Sequence, residues 1–195
     1  MKFDVILADP PWHFKTWSDK GRGRSPKYPT MKFQDIVGLG PLVQQISADN
    51  CALFLWVTMP FLEKSFQVIN GWGFQYRTCA FTWGKINKKS LTWFQGTGYY
   101  TRANAELCLL AVKGKMPVAP GNRPPELVMA PVREHSEKPN HIIASIHFMY
   151  PDTKRLEMFA SKHSIQWAKT YNFMPIGFDV DGLDIREALK NLINS

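Results

Sequence analysis

The chain has 195 residues and a formal charge of +8 at pH 7, with 45% hydrophobic and 21% charged residues. These figures fit one globular domain spanning residues 1–195, large enough to bury a core, and no apolar run or N-terminal layout marks a membrane span or signal peptide. Cys51, Cys79 and Cys108 lie inside apolar runs and read as reduced core thiols of a cytoplasmic protein, while the positive charge points to a polyanionic partner and not to a membrane.

The first predicted element is the run Phe3-Asp4-Val5-Ile6-Leu7-Ala8, short and apolar as a strand buried on both faces would be. It stops at Asp9-Pro10-Pro11-Trp12, where two prolines can neither donate a ladder hydrogen bond nor extend the strand. In an open α/β sheet, ligands bind just outside the carboxyl ends of strands. An acid held there beside a stiff carbonyl suits one chemistry well. A nucleobase amine is a poor nucleophile, and two acceptors, the Asp9 carboxylate and the Pro10 carbonyl, would fix it and favour positive charge on nitrogen during attack. Pro11 and Trp12 would wall a slot for an unstacked base. The alternative reading of the tetrad is an ordinary strand-ending turn.

Residues His13 to Pro29 show no helical or strand period and carry Lys15, Lys20, Arg22, Arg24 and Lys27. Solvated loop or phosphate contact are the two readings, and attachment beside the tetrad favours the second. Phe33 to Ile46 reads as a helix weakened by Gly38, Gly40 and Pro41, and Cys51 to Val57 as a central buried strand. Thr58 is placed to cap the next helix, with Pro60 in its first turn, Leu62, Phe66 and Ile69 on one face and Gly71 at its end. Gln75 to Trp83 is β-rich. Lys85 to Arg102 interleaves Lys85, Lys88, Lys89 and Arg102 with Trp93, Phe94, Tyr99 and Tyr100, a second basic loop with rings suited to stacking on bases or to packing beneath the loop.

Glu106 to Lys113 is a further buried strand, Pro117 to Pro125 a connection, and Leu127 to Val132 another strand. Ser136 is expected to cap a helix with Ile142, Ile143, Ile146 and Met149 on its apolar face, placing Lys138 in a first turn that can hold an anion. Lys154 to Ala160 reads as a strand followed by the turn Ser161-Lys162-His163-Ser164. Asp184, with Glu187 three residues on, opens a docking helix bearing Ile185, Leu189 and Leu192. The six-residue spacing of His135, His141 and His147 puts no pair on one helical face, and no ligand set for a metal is completed.

Asp9-Pro10-Pro11-Trp12 after a buried strand resembles the signature of amino-group adenine methyltransferases. The chain is similar, more narrowly, to the family of the eukaryotic mRNA adenosine methyltransferase catalytic subunit and its bacterial and phage relatives. The likeness runs through Tyr28-Pro29-Thr30-Met31, Leu53 to Thr58, Trp72-Gly73-Phe74, Thr82-Trp83-Gly84-Lys85, Glu106 to Gly114 and Val132 to Pro139. It implies a three-layer, doubly wound, Rossmann-like α/β fold with permuted motif order, and S-adenosylmethionine as cofactor. Asp9, Ser136 and Lys138 would meet that cofactor, Lys138 at its carboxylate, with Ser161, His163 and Ser164 at the ribose and Asn172 near the adenine or ribose. Lys15, Arg22, Arg24, Tyr28, Lys88, Lys89, Arg102 and Arg133 would contact the nucleic acid.

The chain departs from the family pattern at three positions, having Ser161 for an arginine, Tyr171 for a glycine and Phe173 for a polar residue. A family segment that reaches adenine from ahead of the first strand is expected to be missing, since the chain opens at Met1. The compact size, without an appended zinc finger, favours DNA over RNA as substrate by family analogy, and a homodimer or second subunit would supply further specificity. A non-catalytic nucleic-acid-binding subunit is the alternative of another class, though such subunits tend to lose the tetrad that is intact here.

Overall fold

The computed structural model describes residues 1–13, 30–96, 98, 100–134 and 137–195. Seven strands form one sheet: β1 (Phe3–Ala8), β2 (Ser47–Val57), β3 (Gln75–Ile86), β4 (Ala105–Lys113), β5 (Leu127–Pro131), β6 (Arg155–Met158) and β7 (Phe173–Ile176). Their order across the sheet is β5-β3-β4-β2-β1-β6-β7. All neighbours are parallel except β4, which runs antiparallel to both β2 and β3.

Helices α1 (Phe33–Val37), α2 (Gly40–Ile46), α3 (Leu62–Gly71) and α7 (Ile185–Asn194) cover one face. Helices α4 (His141–Met149) and α5 (Ile165–Thr170) cover the other, and α6 (Phe178–Asp181) is a short turn with no buried residue. Period-two alternation divides the strands between the two cores: Ile6 and Ala8 face the first, Val5 and Leu7 the second. These are the three layers of a Rossmann-like α/β fold. No helix among the described residues is long and apolar enough to cross a membrane.

Several local expectations need correction. The helix read over Phe33 to Ile46 is two helices separated at Gly38 and Leu39. Gly40 lets α2 abut the end of α3, since a Cβ there would sit 2.2 Å from the Gly71 carbonyl oxygen. Thr58 makes no side-chain cap; a 3-10 turn, Met59–Phe61, intervenes before α3. The buried face of α3 is Ser65, Val68 and Ile69, while Phe66 turns edge-on to Tyr76 with ring centroids 5.1 Å apart. Asp184 does cap α7, accepting from the Arg186 backbone N–H at 2.9 Å.

The architecture fixes where a ligand can go. Chain order runs outward from β1 to β2 on one side and returns to β6 and β7 on the other. The carboxyl ends of β1 and β6 therefore flank the point where the winding reverses, the place at which such sheets open a crevice.

Candidate active site

Ala8 pairs with Met158 of β6, so Asp9 and the Phe159–Ser161 segment emerge side by side. A cavity at this point is lined by Leu7, Asp9, Lys138, Glu157, Phe159 and Ser164, among others. Phe159 holds a left-handed φ of 61°, which ends β6 at Met158, two residues short of the expected strand. Gly177, at φ 144°, packs across it. A Cβ at Gly177 would lie 3.1 Å from both the Ala160 nitrogen and the Phe159 Cα.

The tetrad is a tight, hydrogen-bonded turn. The Trp12 N–H donates to the Pro10 carbonyl at 2.8 Å and the Met31 N–H to the Pro11 carbonyl at 2.9 Å. Pro10 is buried and Pro11 half-buried. Trp12 corrects an expectation: it is 4% exposed, stacks on Phe61 at 5.3 Å and donates its indole N–H to the Trp56 carbonyl at 3.2 Å. Its ring belongs to the core, because a strand end packed against β2 gives the indole both a partner and a dry place. A base cannot lie on it here.

Asp9 faces Lys138 across the cavity, with 2.6 Å between Oδ2 and Nζ. Lys138 also reaches Glu106 at 3.5 Å, and Glu106 pairs with Lys85. Burial raises the Asp9 carboxyl above its ordinary value, opposed by Lys138. At Glu106 burial pushes the same way, but Lys138 and Lys85 together overcome it and hold that carboxyl below its ordinary value. Glu157, in β6, is pushed up to about 7 by burial. Its Oε2 has no hydrogen-bond partner among the described residues.

Lys138 is thus at the site, but not by the expected route. Helix α4 begins at His141 with Asn140 at its cap, so Lys138 precedes the first turn instead of lying in it. Ser136 lies outside the described residues, as do Lys15, Arg22, Arg24 and Tyr28. Ser161 and Ser164 line the cavity, where the Ser164 hydroxyl donates to the Ser161 carbonyl at 3.0 Å. His163 is half-buried in the same turn and does not line the cavity.

Asn172 is the clearest misplacement. Its neighbour Phe173 pairs with Arg155 at the start of β6, so Asn172 sits at the amino end of β7, the wrong end of the sheet for the cavity. At the carboxyl end of β7 come Gly177, Phe178 and Asp179. Asp179 accepts from the Lys162 N–H at 3.4 Å, which ties it to the serine turn.

Lys88, Lys89 and Arg102 are exposed beyond the carboxyl end of β3. Arg133 is occupied: its Nη1 donates to Glu137 at 3.1 Å, and the same nitrogen lies 2.8 Å from the Asn140 side-chain amide. Glu106 and Glu157 are the residues that sequence reasoning missed. Each is an acid inside a buried strand, a placement costly enough to have been a signal.

The chain is 34% identical over 184 residues to the type II methyltransferase M.MunI of Mycoplasma sp, covering 85% of this chain and 75% of that protein. It is 30% identical over 187 residues to the human N(6)-adenosine-methyltransferase catalytic subunit METTL3, covering 94% of this chain. A Drosophila melanogaster N(6)-adenosine-methyltransferase MT-A70-like protein is likewise 30% identical, over 186 residues. The chain spans only 29% of the length of the human protein and 28% of the fly one. The MT-A70 family profile matches residues 3–171, which take in β1 with its acid tip, the Glu106 strand and the Lys138 segment; the chain belongs to the MT-A70 family.

Proposed function

We propose that this protein transfers a methyl group from S-adenosylmethionine to the exocyclic N6 amine of adenine in nucleic acid, with DNA as the substrate. The observation that carries the reading is a carboxylate, Asp9, at the tip of β1 on the rim of a cavity at the winding reversal, opposed by a cation 2.6 Å away. The N(6)-adenosine activity named for the human and fly relatives supports N6 as the acceptor atom. The type II class of M.MunI supports DNA.

The cavity lining fits the cofactor. Lys138 offers a cationic anchor for its carboxylate, and the unpartnered Oε2 of Glu157 offers an acceptor for a ribose hydroxyl or the amino group. Ser161 and Ser164 add small polar surface, and Asp179 lies at the same edge. When bound, S-adenosylmethionine supplies an electrophilic methyl on a positively charged sulfur.

The protein's own part is alignment. Asp9 accepts one N–H of the adenine amine and the Pro10 carbonyl accepts the other, using the lone pair that Trp12 leaves free. Both acceptors strengthen as charge builds on nitrogen. No base is needed before attack, because the amine proton becomes acidic only once the N–C bond has formed. The Asp9 carboxyl, raised by burial, is then suited to take it. Lys88, Lys89 and Arg102 stand where a phosphate backbone would pass.

The test is labelled-methyl transfer measured side by side on duplex DNA, single-stranded DNA and RNA. Incorporation at adenine N6 in either DNA supports the reading. Incorporation in RNA alone reassigns the substrate, and none in any of the three makes the chain a binding subunit.

A further inference from the structure

Among the described residues, two carboxylates lie within reach of Lys138. Its ammonium is 2.6 Å from Asp9 and 3.5 Å from Glu106, with the Trp56 ring centroid 5.6 Å away. Glu106 is gripped by Lys85 through its other oxygen, and Lys85 lies over the Trp83 ring at 4.8 Å. The four groups alternate in sign along the carboxyl edge of the sheet: Asp9 after β1, Lys138 after β5, Glu106 in β4 and Lys85 in β3.

The row is not evenly covered. The Glu106 and Lys138 side chains are 15% and 18% exposed, whereas Asp9 is 31% exposed and opens on the cavity. That cavity measures about 40 Å³, far below the roughly 300 Å³ or more that encloses a small molecule. A ligand entering this cavity meets both members of the Asp9–Lys138 pair, which line it together.

We infer that Lys138 is an exchangeable counter-ion: the cofactor carboxylate replaces Asp9 on Lys138, while Glu106, pinned by Lys85, keeps the ammonium at the cavity wall. Glu106 is then a positioning residue, acting through Lys138 without touching the substrate. The inference rests on the reading above that Lys138 holds the cofactor carboxylate. It adds an order of events. Without cofactor, Asp9 is engaged by an ammonium; with cofactor bound, Asp9 is released to accept the amine. Cofactor and nucleic acid then favour each other's binding, by equal factors in both directions.

The experiment is calorimetric titration with S-adenosylhomocysteine, which keeps the carboxylate and ribose but lacks the sulfonium charge that Asp9 would attract directly. Asp9→Asn removes the competitor for Lys138 and should tighten binding on the order of tenfold, the worth of one charge-assisted hydrogen bond. Glu106→Gln leaves the ammonium to Asp9 and should weaken binding by a similar factor, and adding Asp9→Asn should recover most of that loss. Lys138→Met should weaken binding with or without Asp9→Asn. If Lys138→Met weakens binding but Asp9→Asn leaves it unchanged or weaker, the exchange is refuted and the cofactor site stands. If Lys138→Met changes nothing, the cofactor site itself is wrong and the exchange falls with it. Thermal unfolding of each variant checks folding, and Asp9→Asn, at the rim, decides the matter should Glu106→Gln not fold.

Discussion

Replacing Glu157 by Gln should make the protein more stable at alkaline pH and a poorer binder of cofactor. Glu157 is 8% exposed, and burial pushes its carboxyl from 4.5 up to about 7. The unfolded chain releases this proton near 4.5 and the folded protein keeps it until about 7. The stability contributed by the protonated side chain is therefore complete below the lower value and is lost as pH rises through the upper one. At about 1.36 kcal/mol per pH unit, holding the charged form buried costs roughly 3 kcal/mol above pH 7. Gln is neutral throughout. For a chain of this length the variant's Tm should exceed that of the parent by roughly 6–12 °C near pH 8.5, with most of the gain gone below about pH 5. Scanning calorimetry across that range reads the difference. A Tm change that does not vary with pH, or a lower Tm at alkaline pH, would refute the argument and show that the carboxylate is paired in the protein. Cofactor affinity measured in parallel should fall, the usual conflict between a comfortable core and a site that needs an unpartnered acceptor.

Other consequences are simpler to check. Trp12→Ala should cost about 3–5 kcal/mol in denaturant unfolding, because the indole is core; an effect confined to nucleic-acid affinity would restore the base-slot reading. Gly177→Ala should destabilise by roughly 1–3 kcal/mol, since φ is 144° and the added Cβ meets backbone at 3.1 Å; an unchanged Tm contradicts the close packing of β6 and β7. Lys88→Ala and Lys89→Ala should each reduce the salt dependence of nucleic-acid binding by about one phosphate's worth. An unaltered salt slope removes these lysines from the interface.

The sequence was most legible where one physical demand dominated. The apolar run of β1 and its proline stop located Asp9 at a strand tip, and the apolar faces of α4 and α7 emerged as read, because burial leaves a period that can be counted. Elsewhere, local cues could not decide. The reversal of β4 is invisible, since a strand buried on both faces looks the same in either direction. Lys138 sits in a pattern that looks like a first helical turn, but the helix starts three residues later, with Asn140 and not a serine upstream at its cap position. Its partner Asp9 lies 129 positions away, a pairing that only the winding of the sheet creates. The place of Asn172 after Trp167 points to the site, yet α5 carries the chain back to the far end of the sheet before β7 begins. Glu106 and Glu157 look like incidental members of apolar strands, although an acid there needs either cations, as Glu106 has, or a ligand.

The most direct test of the methyl-transfer reading is single-turnover transfer to adenine-containing DNA by the parent protein and Asp9→Asn, at saturating cofactor and nucleic acid. Losing the charged acceptor should slow transfer by about 100- to 1,000-fold, with cofactor binding not weakened. A variant that transfers methyl at close to the parent rate would contradict the claim that Asp9 holds the amine.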